Sequence, residues 1–96
     1  MTILITYDVD TISKTGQKRL RQVAKACKDF GQRVQNSVFE CELTEAQFVT
    51  LQHKLSTIID HSLDSIRFYH LSRNSKIHTF TMGKITSYNV NDALII

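Results

Sequence analysis

Asp8 ends a run, Thr2 to Val9, in which Ile3, Ile5 and Tyr7 alternate with Leu4, Thr6 and Asp8 and both faces stay apolar until the carboxylate. That pattern suits a strand in the middle of a sheet. A carboxylate at the end of a buried strand is costly unless hydrogen bonds, a cation or a metal compensate it, so Asp8 is expected to have a partner. The nearest second acid is Asp10, and a lone carboxylate makes a poor magnesium site because hard cations take several oxygens. Two-fold pairing changes that count. If Asp8 lies near the axis of a homodimer, two carboxylates face one cleft and can hold a hydrated Mg²⁺ beside a phosphate. The alternative is a structural Asp that caps the following loop.

The second chemical signal is cationic. Seven of the twelve Lys and Arg residues lie between Lys14 and Arg33, with Asp29 the single acid among them, so this stretch carries about twice the chain's net charge of +3. Lys14, Lys18, Arg21, Lys25 and Lys28 follow at spacings of four, three, four and three, which lines five cations along one helix face. Such a stripe can be nothing more than a solvated surface. A helix stabilised by surface ion pairs would intersperse Glu, and the lack of it here favours phosphate contacts, which position nucleic acid without reading its sequence and weaken steeply with salt. Phe39 could stack on a base if exposed, although a strand Phe is more often core, and the same holds for Tyr7.

Other chemistries find little support. Ser37 to Cys41 lacks the Lys/Arg-Gly-aromatic pattern of an RNA-recognition domain, which argues against sequence-specific reading across the sheet. Glycine-rich phosphate loops, HExxH and a recognisable Ser, His and Asp set are missing. His53, His61, His70 and His78 are too widely spaced for a zinc motif, and Cys27 and Cys41 form no CxxC pair, so the cysteines read as reduced and structural.

The elements that must position these residues follow from periodicity and caps. After the first strand, Ser13 or Thr15 caps a helix to about Asp29, with Leu20, Val23, Ala24 and Cys27 inward and Gly31 placed to end it in a left-handed turn. Gln32 to Gln35 and Ser37 to Leu43 read as a hairpin around Asn36. Thr44 and Gln47 form a capping box, with Leu43 able to staple onto Phe48, for a helix from Glu45 to Ile59 or Asp60 that turns Phe48, Leu51, Leu55 and Ile58 inward. Ser65 to Leu71 is a fourth strand and Ile77 to Thr81 a weaker fifth. The order is that of a ferredoxin-like βαββαβ sandwich, class α+β, with an extra C-terminal strand.

With 96 residues, 42% apolar, three glycines and no proline, the chain is read as one domain over 1–96, small enough to gain stability by pairing with itself. No run approaches a membrane span or a signal peptide, so the expected compartment is the cytoplasm. The segment 76–96 is read as the extra strand and a tail that packs across a dimer, because Ala93 to Ile96 is apolar to its last residue and gains nothing unless docked. Docking on its own subunit is the alternative.

Ile5-Thr6-Tyr7-Asp8-Val9, the block RLRQVAKACKDFGQRVQNSVFEC from Arg19 to Cys41, Asp64-Ser65-Ile66-Arg67-Phe68-Tyr69 and the apolar terminus together closely resemble one CRISPR-associated family. This is the smaller of the two core spacer-acquisition proteins, Cas-two, especially the form that accompanies type I-C systems. The likeness covers essentially the whole chain, and the GQRVQNSVFEC hairpin is far more specific than any short catalytic motif. The resemblance implies a homodimer with a C-terminal strand packed across it, working with the larger CRISPR integrase subunit as new spacers are joined to a repeat array. It also implies a metal-dependent endonuclease on RNA or double-stranded DNA, with Asp8 holding Mg²⁺, or Mn²⁺ in its place, and Tyr7 as its catalytic neighbour. Lys18, Arg19, Arg21, Arg33 and Phe39 would contact or orient the phosphate backbone, beside Lys14 and Lys25 of the stripe. A non-catalytic DNA-binding scaffold that bridges integrase subunits is the alternative, and a toxin-like ribonuclease on the same fold is a third reading.

Overall fold

The computed structural model describes residues 1–71 and 77–84. In chain order the elements are β1 (Thr2–Asp8), α1 (Lys14–Lys28), β2 (Gly31–Gln35), β3 (Val38–Glu42), α2 (Glu45–Ile58), β4 (Ser65–Leu71) and β5 (Ile77–Gly83). The sheet runs β2-β3-β1-β4-β5 with every neighbouring pair antiparallel. This is the ferredoxin-like α+β sandwich with one added strand, and β1 holds the central position that its two apolar faces call for.

Both helices cover the same side of the sheet. Ile3, Ile5 and Tyr7 of β1, Phe39 and Cys41 of β3, and Ile66 and Phe68 of β4 form one buried cluster with Val23, Ala26 and Cys27 of α1 and Phe48, Leu51 and Leu55 of α2. Strand residues alternate between faces, so Thr2, Leu4, Thr6 and Asp8 belong to the side away from the helices. There the register builds cross-strand rungs: Glu40–Leu4–Tyr69–Thr79, Val38–Thr6–Arg67–Thr81 and Asp8–Ser65–Gly83.

Local signals set the boundaries. Ser13 caps α1, its hydroxyl accepting from the Gly16 N–H at 3.1 Å. Thr44 and Gln47 form the reciprocal capping box of α2, at 3.1 and 2.9 Å, which satisfies two otherwise unpaired amides. Three expectations change. Gly31 does not terminate α1 in a left-handed turn, because the helix closes on Asp29 in a right-handed conformation, and only Ser37 and Gly83 among the described residues take positive φ. Gly31 instead opens β2 where a Cβ would collide with the Cys41 sulfur and the Glu40 carbonyl. The hairpin turns at Asn36 and Ser37, with Ser37 at φ 61° taking the left-handed position. Ile58 is half-buried, whereas Ile59 reaches the core.

The fifth strand is longer than Ile77 to Thr81 and pairs with β4 of the same chain along its length. The tail that the sequence reading sends across a dimer, Ala93 to Ile96, lies outside the described residues. No helix among the described residues is long and apolar enough to cross a membrane.

Candidate metal and nucleic-acid site

Asp8 stands at the last position of β1 on the face of the sheet away from the helices and is exposed. The expectation of a buried carboxylate in need of a partner is therefore corrected: water solvates Asp8 within the single chain. It makes no hydrogen bond or ion pair among the described residues, so its oxygens are open to an external ligand. Its rung neighbours are small, Ser65 on β4 and Gly83 on β5, and Arg67 stands one rung away on the same face.

Tyr7 is elsewhere. Being the preceding strand residue, it points to the helix side, 7% exposed, with its ring stacked on Phe39 at 6.1 Å. The structure does not bring Tyr7 to the Asp8 carboxylate. Burial pushes its phenol above the ordinary value, against opposing interactions from Arg33 and Ser37. Phe39 is 1% exposed, which removes base stacking as its role. The Arg33 guanidinium lies over this ring at 5.1 Å, within the range of a cation–π contact. Phe39 thus serves Arg33 as a platform while the Arg33 side chain remains exposed.

Along α1, Lys14, Lys18, Arg21, Lys25 and Lys28 are all exposed, with no acid in the first turn and Lys25 and Lys28 in the last. The stripe is an uninterrupted cationic ridge opposite the buried Val23 and Cys27. Arg19 does not belong to it. At 100° per residue it falls about 140° around the helix from Lys14, and its side chain, 14% exposed, pairs with Asp64, which is 0% exposed. The phosphate role that the resemblance assigns to Arg19 is therefore corrected, because its guanidinium is already held by a buried carboxylate.

Asp64 is the residue that the sequence reading missed. Arg19 Nε donates to Oδ2 at 2.8 Å and a terminal guanidinium nitrogen donates to Oδ1 at 3.4 Å. The backbone N–H of Asp10 donates to Oδ1 at 3.0 Å and that of Asp60 to Oδ2 at 2.9 Å. Burial alone would push this carboxyl up, but Arg19 and the two amides outweigh it and hold the group below its ordinary value. A signal was available in Arg19 itself, whose angular position sets it apart from the other cations of its helix. Cys27 and Cys41 are free and buried, and burial pushes their thiols up to about 12 and about 11, which keeps them protonated and inert at neutral pH.

Among the described residues no three His, Cys, Asp or Glu side chains gather as a metal site. The single chain supplies one open carboxylate, and Mg²⁺ is commonly held by one or two carboxylates while it keeps several waters. Asp8 fits such an ion as a single carboxylate ligand.

The family model of the CRISPR associated protein Cas2 matches residues 1–78. A protein of Rhodospirillum rubrum named CRISPR-associated endoribonuclease Cas2 3 is 49% identical over 98% of this chain and 99% of its own. One of Halalkalibacterium halodurans named CRISPR-associated endonuclease Cas2 is 50% identical over 99% of both. The crystal structure of Streptococcus pyogenes Cas2 at pH 6.5 superposes with a TM-score of 0.72 at 61% identity, covering 77% of this chain and 89% of that one. The match spans the Asp8 strand, the cationic helix and the Arg33 hairpin, and the chain belongs to the CRISPR associated protein Cas2 family.

Proposed function

We propose that this chain is a metal-dependent CRISPR-associated endonuclease that works as a homodimer, with Asp8 of each protomer contributing to one Mg²⁺ site and the α1 ridge holding the nucleic-acid backbone. The observation that carries the reading is the Asp8 carboxylate, exposed at a strand end with no protein partner among the described residues. The relatives' names support nuclease activity and divide over the substrate, one an endoribonuclease and one an endonuclease. Pairing is supported by the sheet face away from the helices, where Leu4, Val38, Tyr69 and Leu71 present apolar surface with no described helix above them.

A bound divalent ion would polarise a phosphoryl oxygen and lower the pKa of a coordinated water. The chain's own residues supply binding and orientation. Lys14, Lys18, Arg21 and Lys25 attract the polyanion and fix its path by phosphate contacts. Arg33, steadied on Phe39, offers a planar fork of donors suited to one phosphate. Small neighbours at Ser65 and Gly83 leave space beside Asp8 for a sugar-phosphate chain.

A second reading, a scaffold that holds DNA between units of the larger integrase, is favoured by the ridge itself, which is complete without Asp8. The two separate in one experiment. Purified protein is incubated with duplex DNA and with single-stranded RNA in Mg²⁺, Mn²⁺ or EDTA. Cleavage that needs the metal supports the nuclease and identifies its substrate. Intact binding without cleavage under any condition supports the scaffold.

A further inference from the structure

Asp64 joins four separate parts of the chain at one carboxylate and its own backbone. Its side chain takes the Asp10 and Asp60 amides and the Arg19 guanidinium, while its carbonyl accepts from the Lys84 N–H just beyond β5 at 2.6 Å. It also immediately precedes Ser65, the residue opposite Asp8. Asp10, two residues beyond Asp8, is thereby held by its N–H. On its other side, Gly16 of α1 sits so close to the Asp10 carbonyl that no Cβ would fit. The Asp10 side chain in turn accepts from the Ile12 N–H at 3.0 Å and shapes the approach to α1.

We propose that Asp64, with Arg19, is a positioning pair for the Asp8 metal site: it fixes where the end of β1 places the Asp8 carboxylate relative to the start of the cationic ridge. The inference rests on the nuclease reading above. A carboxylate at a strand end, followed by a loop, would sample several positions, and a divalent ion bound by few protein ligands is sensitive to each. Three tethers to Asp64, from the loop after β1, from α1 and from the turn before β4, remove that freedom without any contact to substrate. Asp64 itself is 0% exposed and is no ligand.

The test compares wild type, Asp64→Asn, Arg19→Lys and Asp8→Ala. Thermal unfolding checks that each variant is folded, calorimetric titration gives Mn²⁺ affinity, and cleavage is followed against metal concentration. Asp64→Asn keeps the size of the side chain but loses acceptors for Arg19 and Asp60. The expected result is Mn²⁺ affinity weaker by about tenfold, the lower end of what loss of an outer-sphere partner costs. The half-saturating metal for cleavage should rise in step, the rate at saturating metal should stay close to wild type, and exchange of the Asp60 amide, which loses its Oδ2 acceptor, should be faster. A folded Asp64→Asn with wild-type Mn²⁺ affinity and half-saturating metal overturns the proposal and leaves Asp64 a fold residue only. If Asp64→Asn does not fold, Arg19→Lys decides by the same readouts: weakened Mn²⁺ binding supports the pair and unchanged binding overturns it. Asp8→Ala separates the two levels. Wild-type Mn²⁺ binding in Asp8→Ala defeats the nuclease reading underneath, whereas lost binding there with unchanged binding in folded Asp64→Asn defeats the positioning role alone.

Discussion

Asp8 and Asp64 exchange the roles that a reading of isolated residues would give them. Asp8, at the end of an apolar run, promised a buried charge and is exposed. Asp64, in a polar turn, is fully buried and saturated with donors. Burial of a charge depends on where distant segments converge, and the four that meet at Asp64 span the chain from Asp10 to Lys84, so single-strand alternation could not show it. The consequence is testable through pH. The folded-state pKa of Asp64 lies below its ordinary value of 3.8, so its stabilising contribution is present above about pH 4 and is lost as pH falls through the lower folded value. Thermal unfolding from neutral to acid pH should show a steep loss below about pH 4 in wild type. Asp64→Asn should start less stable and lose less over the same range. At Phe39, buried between Tyr7 and Arg33, truncation to Ala should cost about 3–5 kcal/mol in denaturant unfolding and weaken duplex binding by removing the Arg33 platform.

At the scale of elements, sequence patterns carried far. The capping box at Thr44 and Gln47, the strand at Ser65–Leu71 and the inward face of α2 at Phe48, Leu51 and Leu55 all stand where the sequence pattern put them, because each is written in the types and spacing of residues close together in the chain. Gly31 was misread for the opposite reason: its requirement is the close approach of β3, a tertiary contact that imitates a helix stop in sequence. Loss of the Thr44 cap in Thr44→Ala should reduce stability by about 1 kcal/mol, measured by the denaturant midpoint. The α1 ridge makes a separate claim. Lys18→Ala with Arg21→Ala should weaken duplex binding regardless of sequence, and the slope of log affinity against log salt should fall by about 0.9 for each phosphate contact removed. An unchanged slope would place the nucleic acid elsewhere.

For the whole molecule, the ferredoxin-like sheet has one face that no described helix covers, and Asp8 lies on it. A second copy on that face would bury Leu4, Val38, Tyr69 and Leu71 and bring together two carboxylates that one chain cannot supply. Such a pairing predicts an unfolding temperature that rises with protein concentration, and a concentration-independent value would argue for a monomer. The cationic ridge runs along a helix on the other side of the sheet from Asp8, so the proposed binding and hydrolysis would draw on different residues and should be separable by mutation.

The most direct measurement is cleavage by wild type and Asp8→Ala side by side in Mg²⁺, with duplex binding measured on the same samples. The expectation is that Asp8→Ala abolishes metal-dependent cleavage and leaves affinity nearly unchanged, because the substitution removes a metal ligand and no phosphate contact. Cleavage by Asp8→Ala at the wild-type rate would contradict it.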